Sequence, residues 1–178
     1  EKIGKKCALF WIQDEDDLIY ILAFHEVPEY VEVSGRLCVS QFEHVIEAHK
    51  SHNEKSQFYQ NLLLDNLLLV DIFNRARKMN VEIEARRAVF VIEPKEETDN
   101  RALETIKGLY VTGTKDYVTS VDENRIVYIK NLENTEDYKE LNDIAKTIVD
   151  MLNTEVMINV RVAYGTVVDI IKNVSKSY

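Results

Sequence analysis

The sequence predicts an α+β fold: an antiparallel, ferredoxin-like sheet with helices on one face, preceded by a strand pair and long connecting helices. Three observations carry that expectation. From residue 87 onward, strand-like and helix-like runs follow in the order β-α-β-β-α-β-α. Near the N-terminus, two runs rich in aromatic and β-branched residues flank an acidic turn. Between these regions lies a leucine-rich stretch of helical period.

Taken in chain order, residues 5–12 and 18–25 read as two strands separated by Gln13-Asp14-Glu15-Asp16-Asp17. Pro28 suits a first helical turn, and a helix is expected over 29–51. Its apolar positions Val33, Leu37, Val45 and Ile46 are only partly periodic, and Gly35 weakens its first turns. Residues 54–79 then carry Phe58, Leu62, Leu63, Leu67, Leu68, Leu69, Ile72 and Phe73, with Asp65-Asn66 as a break point. These leucines cover more than one face, so one neighbouring sheet could not hide them all. Leu62, Leu63, Leu67, Leu69 and Phe73 are therefore expected at the interface of a homodimer.

Residues 87–92, Arg-Ala-Val-Phe-Val-Ile, form a continuous apolar run of the kind a strand shows when both its faces are covered. A helix is expected over 99–110. Strands at 117–121 and 125–130 flank Asp122-Glu123-Asn124, a hairpin signature. The cleanest helix is 136–153, where Tyr138, Leu141, Ile144, Ala145, Ile148 and Leu152 make one stripe. A strand at 156–163 and a closing helix at 166–178, burying Val167, Ile170, Ile171 and Val174, complete the order.

Composition narrows the function. The chain has 178 residues, 46% hydrophobic and 30% charged, which suits a core under a solvated surface. A net charge of -9 repels duplex DNA, and the basic runs (Arg75-Ala76-Arg77-Lys78, Arg86-Arg87) are short and lie beside acids. DNA would be contacted only through a domain absent from this chain. No apolar stretch approaches the ~18 residues of a membrane span, and nothing near the N-terminus reads as a signal peptide. Cys7 and Cys38 lack metal-ligand spacing and read as reduced thiols of a cytoplasmic protein. The chain starts without Met and closes while a helical pattern still runs, so a piece excised from a longer protein is expected.

Chemistry-bearing patterns are sparse. Five glycines without a cluster make no phosphate loop. His44, His49 and His52 lie on or near one helix, but no cysteine or carboxylate set completes a metal site. No cofactor and no metal is expected. Trp11, Tyr20, Phe24 and Tyr30, with Phe10, crowd the first thirty residues. They either build a core or line a sheet face where a small-metabolite effector binds.

Several segments together resemble a known family. They are Arg75-Ala76-Arg77-Lys78-Met79, Val89-Phe90-Val91-Ile92-Glu93, the hairpin Asp122-Glu123-Asn124-Arg125-Ile126-Val127-Tyr128-Ile129, Val162-Ala163-Tyr164-Gly165 and Ser177-Tyr178. In that order they resemble the degenerate GGDEF-like domain of the sugar-diacid and purine-catabolism (CdaR/PucR-type) transcription regulators. The stretch Phe24-His25-Glu26-Val27-Pro28-Glu29-Tyr30-Val31 is similar to the strand-to-helix corner of that family's sensor, although His25 stands where the family often has Gly.

The resemblance implies residues 1–53 as the C-terminal part of a PAS-like or diacid-recognition sensor domain. It makes 54–80 a helical connector and dimer interface, and 81–178 a GGDEF-like domain. A working diguanylate cyclase carries Gly-Gly-Asp/Glu-Glu-Phe at this hairpin, where paired glycines let backbone approach the nucleotide. Here Asp122, Glu123, Asn124, Arg125 and Ile126 stand in those places, and Glu93 offers one carboxylate rather than a cluster. The expected function is a non-catalytic sensory and dimerisation module of a bacterial transcription regulator. The alternatives are a nucleotidyl cyclase with a variant hairpin and a purely structural dimerisation module.

Overall fold

The computed structural model describes residues 2–3, 7–14, 17–25, 29–95, 101–110, 114–122, 124–132 and 138–178. The chain divides into two compact units, Glu1–Lys55 and Ser56–Tyr178.

The first unit opens with three antiparallel strands in the order β1 (Lys2–Ile3), β2 (Cys7–Asp14) and β3 (Asp17–His25). Asp14 pairs with Asp17 at the predicted acidic turn. Alternation along β2 buries Ala8, Phe10 and Ile12 on one face. Against that face packs the start of α1 (Val31–Leu63). Gly35 makes this possible: a Cβ there would lie 2.2 Å from the Phe10 ring. The glycine that weakens the helical pattern in the sequence is thus the point where the sheet's ring meets the helix backbone. Phe24 closes the same small core edge-to-face on Phe10, with ring centroids 5.8 Å apart.

The helices expected at 29–51 and from 54 onward are one, because nothing between Ser51 and Glu54 is a glycine or proline. The break falls at Asp65, as expected. Asp65 takes a left-handed φ of 56°. Its N–H bonds to the Leu62 carbonyl, and the Asn66 N–H reaches back to that of Asn61 at 2.9 Å. The next helix, α2 (Leu69–Lys78), ends in the same way at Asn80, with φ 55° and the Val81 N–H on the Ala76 carbonyl at 2.8 Å.

The second unit is built on β4 (Glu84–Pro94), followed by α3 (Arg101–Tyr110), β5 (Tyr117–Asp122), β6 (Arg125–Asn131), α4 (Tyr138–Glu155), β7 (Val160–Tyr164) and β8 (Val168–Ile170), ending in a 3-10 turn over Ile171–Lys176. The strands order as β5-β6-β4-β7, with every neighbour antiparallel, which is the expected ferredoxin-like arrangement. β4 is central, because β7 and β8 share its second edge one after the other.

As predicted, α3 and α4 lie on one face, where Ile106 of α3 and Leu141, Ile148 and Leu152 of α4 pack with Phe90, Ile92 and Tyr128 of the sheet. The opposite face is covered too. Phe58, Tyr59, Leu62 and Leu63 of α1, Ile72 and Ala76 of α2, and Ile171 and Val174 pack there on Val89, Val127 and Ile129. The two-faced apolar run at 87–92 demands this second layer. The segment at 54–80 therefore supplies most of the helical side of this second core.

Two further elements differ from expectation. The closing helix at 166–178 is instead β8 and a 3-10 turn. Val167, Val168, Ile170 and Ile171 are β-branched, and pairing with β4 outweighs their weak helical period. The strand expected from 156 begins at Val160, because Met157 takes a left-handed φ of 58°. Among the described residues, no helix is long and apolar enough to cross a membrane.

Candidate functional site

The hairpin between β5 and β6 is the feature most directly tied to chemistry. Asp122 pairs with Arg125, so a two-residue turn joins the strands. Glu123, one of its two residues, lies outside the described residues. The Asn124 N–H donates to Asp122 Oδ1 at 2.9 Å, so the aspartate side chain shapes the turn itself. Ile126 is buried opposite Ile92 of β4 and anchors the hairpin in the core.

Arg125 decides what this turn can hold. Its guanidinium lies 3.8 Å from the Asp122 carboxylate. It is held above the ordinary arginine range, first by its bond to the Tyr178 side chain, then by the charges of Asp122 and Tyr178 and, more weakly, by that of Glu93. The Asp122 carboxylate of the turn thus already faces a permanent cation. A magnesium ion entering here would meet that positive charge at close range, and a phosphate would meet the side chains of the turn. Among the described residues, no group of three or more His, Cys, Asp or Glu is placed to hold a metal ion.

At the end of β5 and β6 away from the hairpin, the sheet is pinned by a buried polar network. Asp116 accepts from the Tyr128 hydroxyl at 2.8 Å, from Lys130 Nζ at 3.1 Å and from the Asn131 N–H at 2.8 Å. Burial, then the charge and hydrogen bond of Asp116, push the Tyr128 phenol far above its ordinary value. Tyr128 also belongs to an aromatic row: Tyr110 at 4.8 Å, Phe90 at 5.5 Å, and Tyr164 at 5.6 Å from Phe90. An open cleft of about 410 Å³ lies at the end of this row, lined by Tyr110, Lys139, Glu140, Asp143, Ile144 and Thr147. A second, of about 450 Å³, lies where α3 begins and α4 ends.

On the other face, α1 docks on β5 through polar and ring contacts. Gln60 Nε2 donates to the Ser120 carbonyl at 2.6 Å. The Ser56 and Thr119 hydroxyls lie 3.1 Å apart, and Tyr59 stacks on Tyr117 at 4.2 Å. Beneath them Arg87, almost fully buried, donates to the main-chain carbonyls of Ala85 and Glu82.

Burial pushes the Tyr59 phenol up to about 12. The fold therefore prefers its neutral form, and this contribution to stability is complete below pH 10, the ordinary phenol value. It is lost as pH rises from there to about 12, at roughly 1.4 kcal/mol per pH unit. Denaturant titrations across that range should show stability falling. Tyr59→Phe should make the fall shallower; an equal slope in both proteins would refute the assignment.

The structure does not gather the four candidate effector-facing aromatics into one cavity. Trp11 pairs with Ile21 on the outward face of the first sheet, whereas Phe24 is half-buried on the inward face. Tyr20 is 62% exposed, and Tyr30 lies exposed in the turn before α1. His44, His49 and His52 are all exposed on α1.

Of the residues expected at a dimer interface, Leu62 and Leu63 are fully buried in this chain's own core. Leu67 and Phe73 pack partly on the same core. Leu69 is 50% exposed, beside the exposed Leu68 and Val70. Leu62 and Leu63 are core residues rather than the interface residues expected from the sequence: the second apolar face of the leucine-rich segment meets its own sheet.

Sequence reasoning missed Arg87, Asp116 and Ser177. Ser177 is 3% exposed, and its Oγ accepts from the Val89 N–H at 3.0 Å. A lone aspartate before a strand and a lone serine in a polar tail carry no periodic signal. Arg87 could have been noticed as a charge leading a run that is apolar on both faces.

No curated protein and no solved structure matches the chain. The family model described as GGDEF-like domain matches residues 66–178, starting at the residue whose N–H closes the turn after α1. That match spans more than half of the sequence and covers the five-stranded sheet, its hairpin and helices α2, α3 and α4, but not α1. The chain belongs to the GGDEF-like domain family.

Proposed function

We propose that this chain is a non-catalytic regulatory module of a bacterial, cytoplasmic transcription regulator of the CdaR/PucR type, acting as a homodimer. In this reading a small metabolite is sensed upstream of the GGDEF-like domain, and DNA is contacted through a helix-turn-helix outside the chain. The net charge of -9 supports the absence of direct DNA contact. The observation that carries the reading is Arg125, whose guanidinium lies 3.8 Å from the hairpin's own Asp122 carboxylate. A domain with that arrangement keeps the cyclase-like sheet for positioning and transmission.

The direct test is incubation with GTP and magnesium, followed by chromatography for a cyclic dinucleotide, together with titration of a fluorescent GTP analogue. No product and no saturable binding are expected. Either one would overturn the non-catalytic reading in favour of a variant cyclase.

A further inference from the structure

We propose that two copies of this chain pair through α2, laid antiparallel across a two-fold axis, and that this contact is the homodimer interface. The inference rests on the homodimer part of the reading above and on none of its catalytic or sensing parts.

The start of α2 and the turn before it carry more uncovered apolar surface than a solvated element needs. Leu64, Leu68, Leu69 and Val70 lie within seven residues, with Leu68 75% and Val70 67% exposed. Single exposed aliphatics are ordinary, but four at one corner mark a surface that is covered in use. Phe73, one turn on, is only half-buried. The core side of the helix is fixed by Ile72 and Ala76. Val70, Phe73 and Arg77 follow at three- and four-residue spacing, so they form a second stripe beside it.

Charge then selects the partner. The helix begins with an acid, Asp71, and ends with three bases, Arg75, Arg77 and Lys78. Asp71 and Arg75 stand four residues apart, yet no ion pair joins them within the chain. The next acid along the sequence, Glu82, is already engaged by Lys115. A parallel copy of α2 would set base against base and acid against acid. An antiparallel copy sets Asp71 beside Arg75 and Lys78 of the partner subunit, at both ends at once, and opposes the two helix dipoles. A two-fold axis crossing α2 produces that arrangement necessarily, because the same patch is then used on both subunits. Centred between Phe73 and Asn74, it lays Val70 along the aliphatic stem of Arg77 of the partner subunit. An acidic helix from another protein would match the bases but leave Asp71 facing a like charge. Ten residues of helix are about 15 Å long, a small contact of the kind found in reversible dimers.

Sedimentation equilibrium of the whole chain over a wide concentration range tests the contact. Asp71→Lys should weaken dimerisation by about tenfold or more, because the new cation meets Arg75 and Lys78 of the partner subunit. Arg75→Glu together with Lys78→Glu in one chain should weaken it similarly, by bringing glutamates to Asp71 of the partner subunit. Mixing the two variant chains should restore a dimer containing one of each, since every close pair is then of opposite charge. Recovery on mixing also shows that neither variant has lost its fold. Variants that fold, by circular dichroism, but fail to associate when mixed overturn the antiparallel contact. Variants that each dimerise as strongly as the parent overturn it too, and leave the homodimer to another face. A parent chain that is monomeric at every concentration removes the homodimer together with this interface. A monomer that instead binds a synthetic helix of leucine and glutamate would assign α2 to a different protein and likewise overturn the proposal.

Discussion

Gly165→Ala is expected to unseat the C-terminal segment and lower the melting temperature of the GGDEF-like domain by about 10 °C, corresponding to roughly 3 kcal/mol or more. The added methyl would sit 1.7 Å from a main-chain oxygen, not from the tip of a side chain that could rotate away. Either β7 leaves β4 or Ser177 lifts off. Lifting Ser177 strands the buried Val89 N–H, at a cost of about 1–3 kcal/mol. It also starts to expose Val174 and Ile171, both fully buried now, each worth about 1.5–3 kcal/mol when completely withdrawn from the core. Ser177→Ala removes only the hydroxyl and should cost about 1–3 kcal/mol, with the segment still in place. Thermal unfolding of both variants, followed by far-ultraviolet circular dichroism, checks the order. A Gly165→Ala protein that melts within a degree or two of the parent would show that the close approach does not exist in solution.

Residue pattern reveals most of this fold and little of its site, and the difference has a physical origin. Helix α4 buries a regular stripe of Leu141, Ile148 and Leu152, and strands β4, β5 and β6 are continuous apolar runs buried on both faces, so both kinds of pattern are written in the sequence. The hairpin is equally legible, because Asp122-Glu123-Asn124 interrupts two apolar runs. The fate of the leucine-rich segment is not legible. An apolar face on residues 58–73 looks the same whether it meets a partner chain or the back of its own sheet. The clue lay elsewhere, in the two-faced character of 87–92, which called for a second layer. The terminal 3-10 turn escaped for a different reason. Its seat depends on a gap between β7 and β8, on Gly165 and on Ser177, which are far apart in sequence and individually ordinary. The altered hairpin showed which side chains replaced the glycines. Only the structure shows the Arg125 guanidinium 3.8 Å from the Asp122 carboxylate.

Leu62→Ala and Leu69→Ala separate core from interface in one experiment. Leu62 is 1% exposed and lies among Phe58, Tyr59, Leu63, Ile72 and Val89, so truncation leaves a cavity that a sheet on one side and two helices on the other cannot readily close. The expected loss is about 3 kcal/mol, within the 2–5 kcal/mol usual for such a cavity, and a melting temperature lower by roughly 10 °C. Leu69 is half exposed at the start of α2, and its truncation should move stability by no more than about 0.5 kcal/mol in a monomer. The proposed homodimer adds a second readout. If Leu68, Leu69 and Val70 meet a second copy, Leu69→Ala should lower the mass measured by light scattering at dilute concentration while the unfolding of the isolated chain stays put. Leu62→Ala should do the reverse, weakening the fold without a specific loss of mass. Should Leu62→Ala instead dissociate a dimer at unchanged stability, the leucine would belong to an interface, and the second helical layer drawn over the sheet would be wrong.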